Sequence, residues 1–486
     1  MRGETVSALR AAGPWALTRD LPDPVGYADL AAQPELFHEQ LTERIRQHRF
    51  PIGATRFPLP KPGGTRRLTW LDPYDEVGLR ILVGRMTAMI KRACNRDRVF
   101  SYLLASTGAG WSTVPYRHAQ NQRREHGMSL LNDPRCRALG VFDVAEYYAS
   151  IDLDLLVAQL LNLKAPPGAV GALRAALSNV TESAGVTGMP IGFEGSGPLA
   201  NIYLLPADDI AARTRLGFVR YTDDSWLFLR EFGAWEDALV EYRARLEELA
   251  LRLNETKSKA YDTFWDDASG VIRHGLLDSI TQGDTRRIST EAAVDVLNAA
   301  TEEPDWQAFR FAMGALKADQ DPRGLDHLQS HPEMFDQEPK IAADYLIQLS
   351  RKPAARRRID PEWIVDLAVR PGTGQTLAGQ LHACRVAHHL HLNKKQGERV
   401  HELARSSQHQ GHVPLQTWAA TAWTTSDHWK DGRAIEAARD KGSLSVRRAF
   451  VLGFDNRQPG KAAVRHVHEL ARIEPDLRPT IEFVLA

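Results

Sequence analysis

Two adjacent carboxylates, Asp223 and Asp224, stand between apolar stretches that are typical of β-strands. Residues 218–219 (Phe-Val) precede them and residues 227–229 (Leu-Phe-Leu) follow, so the pattern predicts a hairpin with both aspartates at its tip. The two carboxylates repel each other unless a cation lies between them. Two divalent ions about 4 Å apart can stabilise both the entering and the leaving oxygen of phosphoryl transfer. The tip therefore predicts a site for divalent ions and phosphoryl transfer, with an ordinary Asp-Asp turn as the alternative.

A third carboxylate, Asp143, ends an apolar run that begins near Leu139. The run predicts a buried strand, and a carboxylate at its end can lie beside the hairpin tip as a third metal ligand. Further along, Ser150 is a candidate N-cap, with Asp152 and Asp154 in the first turn of a leucine-rich helix. We therefore interpret these two aspartates as helix-start residues and only Asp143 as a ligand.

A glycine-rich stretch, residues 188–204, lies between the two acidic segments. Its four glycines permit positive φ and close backbone approach, and Ser196 with Pro198 opens an apolar helix. Such a loop suits contact with a base pair or a template strand. A glycine-rich turn alone is a weak signal, but its position between the acidic segments strengthens it.

In this order the three segments resemble motifs A, B and C of reverse transcriptases, with Asp143 in motif A, residues 188–204 as motif B, and Asp223 and Asp224 in motif C. The resemblance covers roughly residues 30 to 270. It implies a right-hand polymerase fold with fingers and a palm of antiparallel strands backed by helices. It also implies that the three aspartates are catalytic residues that bind two Mg²⁺ ions, with Mn²⁺ as a substitute, and that dNTPs are the substrates.

Two more segments resemble motifs of the same family. Residues 249–258 resemble motif D, in which a lysine protonates the departing pyrophosphate; Lys257 matches that lysine, and a solvated lysine at a helix end is the alternative. Residues 57–68 resemble the fingers hairpin, whose Gly-Gly turn would carry Lys61 and Arg66 over the triphosphate. Because neighbouring side chains on a strand face opposite sides, the sequence leaves open whether Arg66 or Arg67 points inward.

Substrate selection is implied by two further positions. Tyr148 stands five positions after Asp143, where reverse transcriptases carry an aromatic residue that blocks the ribose 2′-hydroxyl. The resemblance therefore implies DNA rather than RNA synthesis, and Tyr147 is interpreted as a core aromatic residue. Gly192 is assigned to substrate binding because the motif B loop contacts the nascent base pair in this family.

Motif B departs from the pattern of group II intron and retron enzymes. Those enzymes carry glutamine where this chain has Ile191, and residues 193–197 (Phe-Glu-Gly-Ser-Gly) also differ. The variant resembles the abortive-infection and other defence-associated reverse transcriptases of bacteria. It implies a role against phage, in which the enzyme copies a non-coding RNA or synthesises DNA without a template. A retron-like enzyme with a dedicated structured RNA and a catalytically inactive nucleic-acid-binding scaffold are the alternatives.

Some members of that group prime DNA synthesis on a protein hydroxyl. Tyr345 is the only tyrosine after Tyr261, and it lies in an amphipathic segment. It is therefore a candidate priming residue, with a buried, hydrogen-bonded helix tyrosine as the alternative.

The pattern changes after about residue 270, where amphipathic segments follow one another between prolines and glycines. These segments are Ser289 to Ala300, Asp305 to Ala318, Lys340 to Ser350, Pro361 to Val369, Leu377 to Leu392, Ala434 to Asp440, Val446 to Leu452 and Ala462 to Arg472. They predict an α-solenoid or an irregular bundle, and abortive-infection enzymes carry a HEAT-like helical region. The predicted fold class is α+β, with an N-terminal segment and fingers over residues 1–125, a palm over 126–270 and an all-α domain over 271–486.

Composition limits the partners and the compartment. The 486 residues contain 61 Lys and Arg against 61 Asp and Glu, so nucleic acid must bind at local basic patches. Candidate patches contain Arg85, Lys91, Arg92, Arg96 and Arg98; Arg117, His118, Arg123 and Arg124; and Lys352, Arg356, Arg357 and Arg358. Three cysteines cannot form a disulfide framework, and the sequence lacks a signal peptide or membrane span. We therefore expect a cytoplasmic protein without membrane contact, which could form a homo-oligomer.

Overall fold

The computed structural model describes residues 2–51, 53–61, 64–94, 97–107, 110–213, 216–263, 268–269, 271–272, 289–302, 305–369, 376–406, 411–426, 431–439, 442–453 and 461–486. The chain forms two compact units. Residues 78–283 make up one, called the sheet unit below, and residues 1–77 with 284–486 make up the other, called the helical unit. The predicted boundaries after residues 125 and 270 stay predictions.

The N-terminal part of the helical unit consists of three helices, a hairpin and the start of a fourth helix. The elements are α1 (Arg2–Thr18), α2 (Ala28–Ala32), α3 (Pro34–Arg46), β1 (Ala54–Lys61), β2 (Gly64–Leu71) and α4 (Pro73–Gly84), whose last turns belong to the sheet unit. The hairpin expected over residues 57–68 is present, with Lys61 opposite Gly64 and Leu59 opposite Arg66. Pro62 and Gly63 of its expected turn lie outside the described residues.

The sheet unit alternates strands and helices. Its elements are α5 (Thr87–Ala93), β3 (Leu104–Thr107), β4 (Gly110–Thr113), α6 (Tyr116–Leu131), β5 (Ala138–Phe142), α7 (Tyr147–Ser150), α8 (Leu153–Asn162), α9 (Pro167–Ala184), α10 (Ser196–Tyr203), α11 (Leu205–Arg213), β6 (Gly217–Tyr221), β7 (Asp224–Leu229), α12 (Ala234–Glu248) and β8 (Lys259–Asp262). Its main sheet has the strand order β6-β7-β5-β8, and all neighbouring pairs are antiparallel. The strand expected near Leu139 is β5, next to the hairpin strand β7.

The two faces of this sheet bury different apolar layers, because alternate residues of a strand point to opposite sides. Leu139 and Trp226 belong to a buried cluster on one face. On the other face Phe142 stacks between Trp235 and Tyr242 of α12, with ring centroids 4.9 Å and 4.4 Å away. Packing on both faces fixes β5, and with it the residue that follows Phe142.

The N-cap of helix α8 lies two residues after the predicted one. Ser150 ends the short helix α7, so its assignment as the N-cap is wrong. The cap is Asp152, whose extended backbone places its carboxylate where it accepts hydrogen bonds from the amides of Asp154 (2.7 Å) and Leu155 (3.0 Å). Asp154 forms an ion pair with Arg174 at 2.7 Å. Both aspartates therefore serve the start of α8, as interpreted from the sequence.

Within the described residues from 289 onwards the regular elements are helical. They are α13 (Thr290–Glu302), α14 (Trp306–Asp319), α15 (Arg323–Ser330), α16 (Glu333–Gln337), α17 (Pro339–Ser350), α18 (Pro353–Arg356), α19 (Pro361–Val369), α20 (Leu377–His388), α21 (Lys394–Arg405), α22 (Val413–Trp423), α23 (Asp431–Arg439), α24 (Leu444–Leu452), α25 (Lys461–Ile473) and α26 (Arg478–Leu485), with a 3-10 turn at Pro475–Leu477. The α+β class with an all-α C-terminal part is confirmed.

Successive helices of this part pack on near neighbours in the sequence. Contacts join α13 to α14, α17 to α20, α20 to α22 and α22 to α24. This layering agrees with stacked helical hairpins, whereas the repeat type stays a prediction. None of the helices in the described residues has both the length and the apolar character needed to cross a membrane.

The two ends of the chain meet inside the helical unit. Helix α26 packs against α2 and α3. The buried guanidinium of Arg448 donates to Asp23 at 2.6 Å and to Asp29 at 2.7 Å, and Thr480 donates to the same Asp29 carboxylate at 2.6 Å. Because burying these charges is tolerable only when they are paired, the ion pairs join the first helices specifically to the last ones.

Candidate active site

Strand register brings the three predicted carboxylates to one end of the sheet. Phe142 of β5 pairs with Ser225 of β7, so Asp143, which follows Phe142, lies at the same end as Asp224, which precedes Ser225. Asp224 in turn pairs with Tyr221 across the β6–β7 turn that contains Asp223. Acidic residues about 80 positions apart in the sequence thus become neighbours through strand pairing.

The position of Asp223 at this end of the sheet changes the pKa of its carboxyl. Burial, and then the negative charges of Asp143 and Asp224, raise the pKa of its carboxyl to about 6, although a backbone hydrogen bond and Lys257 act in the opposite direction. A carboxyl surrounded by like charges is destabilised in its ionised form. A cation at this position would relieve that repulsion.

Asp143 is held by the loop before β8. The Asn254 side-chain amide donates to its Oδ1 at 2.8 Å, and Lys257 Nζ lies 3.5 Å from its Oδ2. The Asp143 amide donates to Ser258 Oγ at 3.2 Å. Lys257 is therefore adjacent to the predicted ligand, and its side chain is 66% exposed, so it is accessible from the site opening.

Asp224 has a counter-charge from α6. Arg123 Nη2 lies 2.8 Å from its Oδ2, and the guanidinium stacks 3.7 Å from the Trp226 ring centroid. The Arg123 side chain is only 5% exposed. Its assignment to a basic surface patch is therefore wrong, because the apolar aromatic surface and the carboxylate bury it instead.

The turn between β6 and β7 is fixed by a buried polar network. Thr222 has φ of 59°, in the left-handed region that β-branched residues rarely adopt. Its amide donates to Ser101 Oγ at 2.8 Å, and its carbonyl oxygen accepts from Arg220 Nη1 at 2.8 Å. The fully buried Arg220 also donates to Asp208 at 2.6 Å and to Asn201 Oδ1 at 3.0 Å. The network holds both sides of the residue that precedes Asp223.

These network residues are missed by motif reasoning, although the sequence contains a signal for some of them. Arg220 is a charged residue within an apolar strand, and Asn201 is a polar residue within an apolar helix, two positions where burial requires a partner. Asn254 lies in a polar loop and gives no such signal, whereas Ser101 is a small polar residue within the apolar run 99–105. Their role follows only from tertiary contacts.

The residue types and backbone positions of the three aspartates fit a divalent ion, but the arrangement of their side chains does not. Carboxylate oxygens are the ligands that Mg²⁺ prefers, and the negative charges of Asp143 and Asp224 contribute, after burial, to the raised pKa of Asp223. In the part of the chain that the structure describes, no three His, Cys, Asp or Glu side chains converge closely enough to hold a metal. The side chains of Asp143 and Asp224 instead contact Lys257 and Arg123. Ligation by all three aspartates would require these two side chains to turn.

The glycine-rich loop lies directly against the predicted sugar-selecting residue. Met189 N donates to the Tyr148 carbonyl oxygen at 2.7 Å. Gly188 has φ of 69°, and a Cβ there would lie 2.3 Å from the same oxygen, so only glycine permits this approach. Gly192 also has positive φ, 132°. Tyr147 is buried and donates to the Ala200 carbonyl oxygen, in agreement with its interpretation as a core residue.

The unusual glutamate of this loop, Glu194, is a structural anchor. It forms a buried ion pair with Arg80 of α4 and accepts a hydrogen bond from the Thr113 amide at 3.2 Å. The Arg80 guanidinium in turn lies 4.1 Å from the Trp111 ring centroid. The departure from the family pattern at this position therefore ties the motif B loop to α4 and β4.

The remaining predicted site residues lie in the helical unit. Lys61 and Arg66 are exposed near the turn of the β1–β2 hairpin, and Arg67 is exposed as well, so the question of which arginine points inward stays open. Tyr345 is fully buried in α17, and its hydroxyl donates to the Asp321 carbonyl oxygen at 2.6 Å. This is the buried, hydrogen-bonded tyrosine of the alternative interpretation, and its priming role stays a prediction.

Comparison with known proteins gives one matching family model and a number of distantly similar solved structures. Residues 74–282 match the family model described as reverse transcriptase (RNA-dependent DNA polymerase). No curated protein matches significantly. Apo telomerase from Candida tropicalis is similar at 10% identity, over 89% of this chain and 69% of the telomerase chain, with a TM-score of 0.34. Telomerase from the same organism in complex with the TWJ fragment of telomeric RNA is similar at 9% identity, over 80% and 68%, with a TM-score of 0.32.

The family match includes the acidic end of the sheet and the glycine-rich loop. It extends from α4 to beyond β8, and it contains the β6–β7 turn, the strand end at Asp143 and the glycine-rich loop. An antiparallel sheet with carboxylates at one end is the palm expected of this family. Residues 74–282, less than half of the chain, therefore match a reverse-transcriptase domain, and this match indicates an RNA-directed DNA polymerase, a nucleotidyltransferase.

Proposed function

We propose that the protein extends a primer with dNTPs at the end of the sheet formed by Asp143, Asp223 and Asp224. The observation that carries this proposal is the convergence of the three carboxylates through strand register, together with the raised pKa of Asp223. Reverse-transcriptase domains use divalent ions, and two Mg²⁺ ions bound here would activate the primer hydroxyl and neutralise the triphosphate.

The proposal also gives roles to the other predicted site residues. Lys257, 3.5 Å from Asp143, would give a proton to the departing pyrophosphate. Tyr148 would exclude the ribose 2′-hydroxyl, and the loop with Gly192 would contact the nascent base pair. Lys61 and Arg66 would bind the β and γ phosphates from the fingers hairpin.

We further propose that the enzyme acts in bacterial antiphage defence. Support comes from the motif B variant, in which Ile191 replaces glutamine and Glu194 anchors the loop through Arg80. A loop held in this way would contact a template differently from the loop of group II intron enzymes. The enzyme would then copy a non-coding RNA or synthesise DNA without a template, in the cytoplasm.

Incorporation of dNTPs by the purified full-length protein tests the polymerase proposal. The wild type is expected to incorporate labelled dNTPs with Mg²⁺ or Mn²⁺, and the double variant Asp223→Asn/Asp224→Asn is expected to incorporate none. Incorporation by the double variant at the wild-type rate would refute the site assignment. A wild type inert on all primers and templates would instead favour a nucleic-acid-binding scaffold.

Sequencing the nucleic acid that co-purifies with the protein tests the template. A discrete RNA with complementary DNA is expected for a dedicated template, and DNA of random sequence for synthesis without one. Plaque counts on bacteria that express the wild type or the double variant test the defence role. Equal plaque counts with and without the wild-type protein would contradict it.

A further inference from the structure

A short segment of the sheet unit, residues 98–102, runs beside the strand that leads to the catalytic turn. The Arg220 amide of β6 donates to the Arg98 carbonyl oxygen at 2.7 Å, and the Phe100 amide donates to the Arg220 carbonyl oxygen at 3.0 Å. The segment therefore extends the sheet edge like an added strand. It brings Ser101 and Tyr102 to the end of the sheet where the carboxylates lie.

Tyr102 packs on the first turns of the motif B helix α10. A Cβ at Gly197 would lie 2.2 Å from Cγ and 2.5 Å from Cδ1 of the Tyr102 ring, so the ring occupies the space that a side chain would fill. The Tyr102 backbone has φ of 47°, which non-glycine residues rarely adopt. The absence of a side chain at position 197 is thus what allows the ring to lie on the helix.

The hydroxyl of Tyr102 is joined to that of Tyr148. Burial raises the pKa of Tyr148 well above its usual range, and the nearby Tyr102 and the hydrogen bond between the two hydroxyl groups raise it further. This hydrogen bond fixes the hydroxyl end of the Tyr148 side chain. At its other end Tyr148 is held through its carbonyl oxygen, which accepts from Met189 N at 2.7 Å.

We propose that Tyr102 is a positioning residue for sugar selection: it holds the Tyr148 ring in the place from which that ring excludes a ribose 2′-hydroxyl. This inference rests on the proposed dNTP polymerase. Exclusion of a single hydroxyl group requires a side chain that keeps its position when the larger sugar enters. A ring held at both its backbone and its hydroxyl meets that requirement, whereas a ring held only at its backbone can rotate about χ1 and χ2.

The ratio of kcat/KM for a dNTP to kcat/KM for the matching rNTP tests the proposal, measured with the full-length protein. Tyr102→Phe keeps the ring and removes the hydroxyl, and it is expected to lower this ratio about 3- to 10-fold, the equivalent of one hydrogen bond. Tyr148→Phe is expected to lower it by a similar factor. The double variant should show no further loss, because the hydrogen bond needs both hydroxyls.

Two more variants complete the design. Gly197→Ala should lower the ratio as well, because the new methyl group displaces the Tyr102 ring while alanine favours the helix. Tyr116→Phe is the matched control: this exposed tyrosine packs on Tyr221, with ring centroids 5.7 Å apart, and is expected to leave the ratio unchanged.

The outcomes separate this inference from the function on which it rests. A Tyr102→Phe protein whose ratio equals that of the wild type overturns the inference, and so do equal losses with dNTPs and rNTPs or additive effects in the double variant. A wild type that incorporates no dNTP refutes the polymerase proposal itself. If Tyr102→Phe does not fold, Gly197→Ala decides in its place.

Discussion

Arg123 and Asp224 form an ion pair of 2.8 Å on the face of the Trp226 ring, directly beside the β6–β7 turn. The guanidinium therefore neutralises one of the two adjacent aspartates. Asp223 is in a different situation, because burial and the charges of Asp143 and Asp224 raise its pKa to about 6. The two neighbours are thus electrostatically unequal, although the sequence presents them as a pair.

This inequality predicts different effects of the two single substitutions. Asp223→Asn should lower kcat by about 10²- to 10³-fold, as expected when a principal charge-stabilising group is lost. Asp224→Asn should lower it by about tenfold or less, because Arg123 already offsets that charge. Steady-state dNTP incorporation measures both, with Asp237→Asn on the exposed face of α12 as the control. Equal losses in the two variants would show that the ion pair opens when substrate binds.

The network around Thr222 predicts a catalytic effect from a residue that does not touch substrate. Ser101→Ala leaves the Thr222 amide without its acceptor and should destabilise the fold by about 1–3 kcal/mol. It should also lower kcat by about 10- to 100-fold with little change in KM, since the turn that carries Asp223 loses its fixed geometry. Ser101→Thr, which keeps the hydroxyl, should restore part of the activity.

Thermal unfolding and kinetics on the same preparations separate the two effects of Ser101→Ala. Ser183→Ala is the control, because Ser183 is exposed on α9 and bonds only to the Asn179 carbonyl oxygen of its own helix. A Ser101→Ala enzyme with lowered stability and unchanged kcat would mean that the turn keeps its geometry without this hydrogen bond.

The buried pair of Glu194 and Arg80 predicts a large loss of stability. Glu194→Gln keeps the shape but leaves Arg80 without its counter-charge, which should cost about 3–5 kcal/mol. Replacing both residues, as Glu194→Leu with Arg80→Met, should recover most of that loss. Chemical denaturation measures the free energies of unfolding. A Glu194→Gln protein as stable as the wild type would contradict the role of Glu194 as an anchor.

Substitution of Lys257 is predicted to impair proton transfer to the departing pyrophosphate. Lys257→Met should lower kcat by about 10²-fold with KM nearly unchanged, because the departing pyrophosphate loses its general acid. Lys257→Arg should be intermediate and should shift the basic limb of the kcat-pH profile. Lys259→Met is the control, as Lys259 lies two residues further along and contacts the Tyr261 ring at 4.8 Å. If Lys257→Met has the wild-type pH profile, proton donation by this lysine is refuted.

The buried His382 leads us to predict that the helical unit loses stability as pH falls. Burial, and then the charge of Arg385, lowers the pKa of His382 well below its ordinary 6.5, while Asp344 raises it and Lys340 lowers it. Arg385 donates to His382 Nδ1 at 2.7 Å, so the folded protein holds the neutral imidazole. The unfolded chain binds this proton as pH falls below 6.5, so stability should decrease there by up to about 1.4 kcal/mol per pH unit.

Melting temperatures at pH 7.5 and pH 5.5 test this sign. Between these two pH values the melting temperature of the wild type should fall further than that of His382→Gln. The melting temperature of His331→Gln, a substitution at a partly exposed histidine, should fall as far as that of the wild type. A His382→Gln protein with the wild-type pH dependence would place the proton uptake elsewhere.

The sequence predicts the elements that depend on local pattern. The strand before Asp143, the hairpin at Asp223 and the segments that became α13, α14, α17 and α19 match their elements to within about two residues, the usual uncertainty of helix ends. Helices α21 and α22 were not predicted. α22 is buried along its whole length, so it lacks the alternation of apolar and polar faces on which the prediction depends.

The site was predictable only where chemistry selects the residue type. The resemblance to reverse transcriptases selects the three aspartates, Tyr148 and Lys257 by residue type and motif position, and their roles stay predictions. The pairing of Arg123 with Asp224 is not predictable from the sequence, because the sequence shows only an arginine in a polar helix. The fold reveals that this arginine faces Trp226. The same holds for Ser150 and Asp152, where either residue could cap α8 and the backbone decides.

The way in which the chain ends meet has a consequence for biosynthesis. Asp23 and Asp29 pair with Arg448, and α2 packs on α26, so the first helices lack these partners until residues 448–485 have left the ribosome. At about 5–20 residues per second, that delay is roughly 20 to 90 s. Residues 78–283 emerge in the meantime as a continuous unit. The polymerase domain can therefore fold during translation, while the N-terminal helices wait for the last ones and are exposed to chaperones and proteases until then.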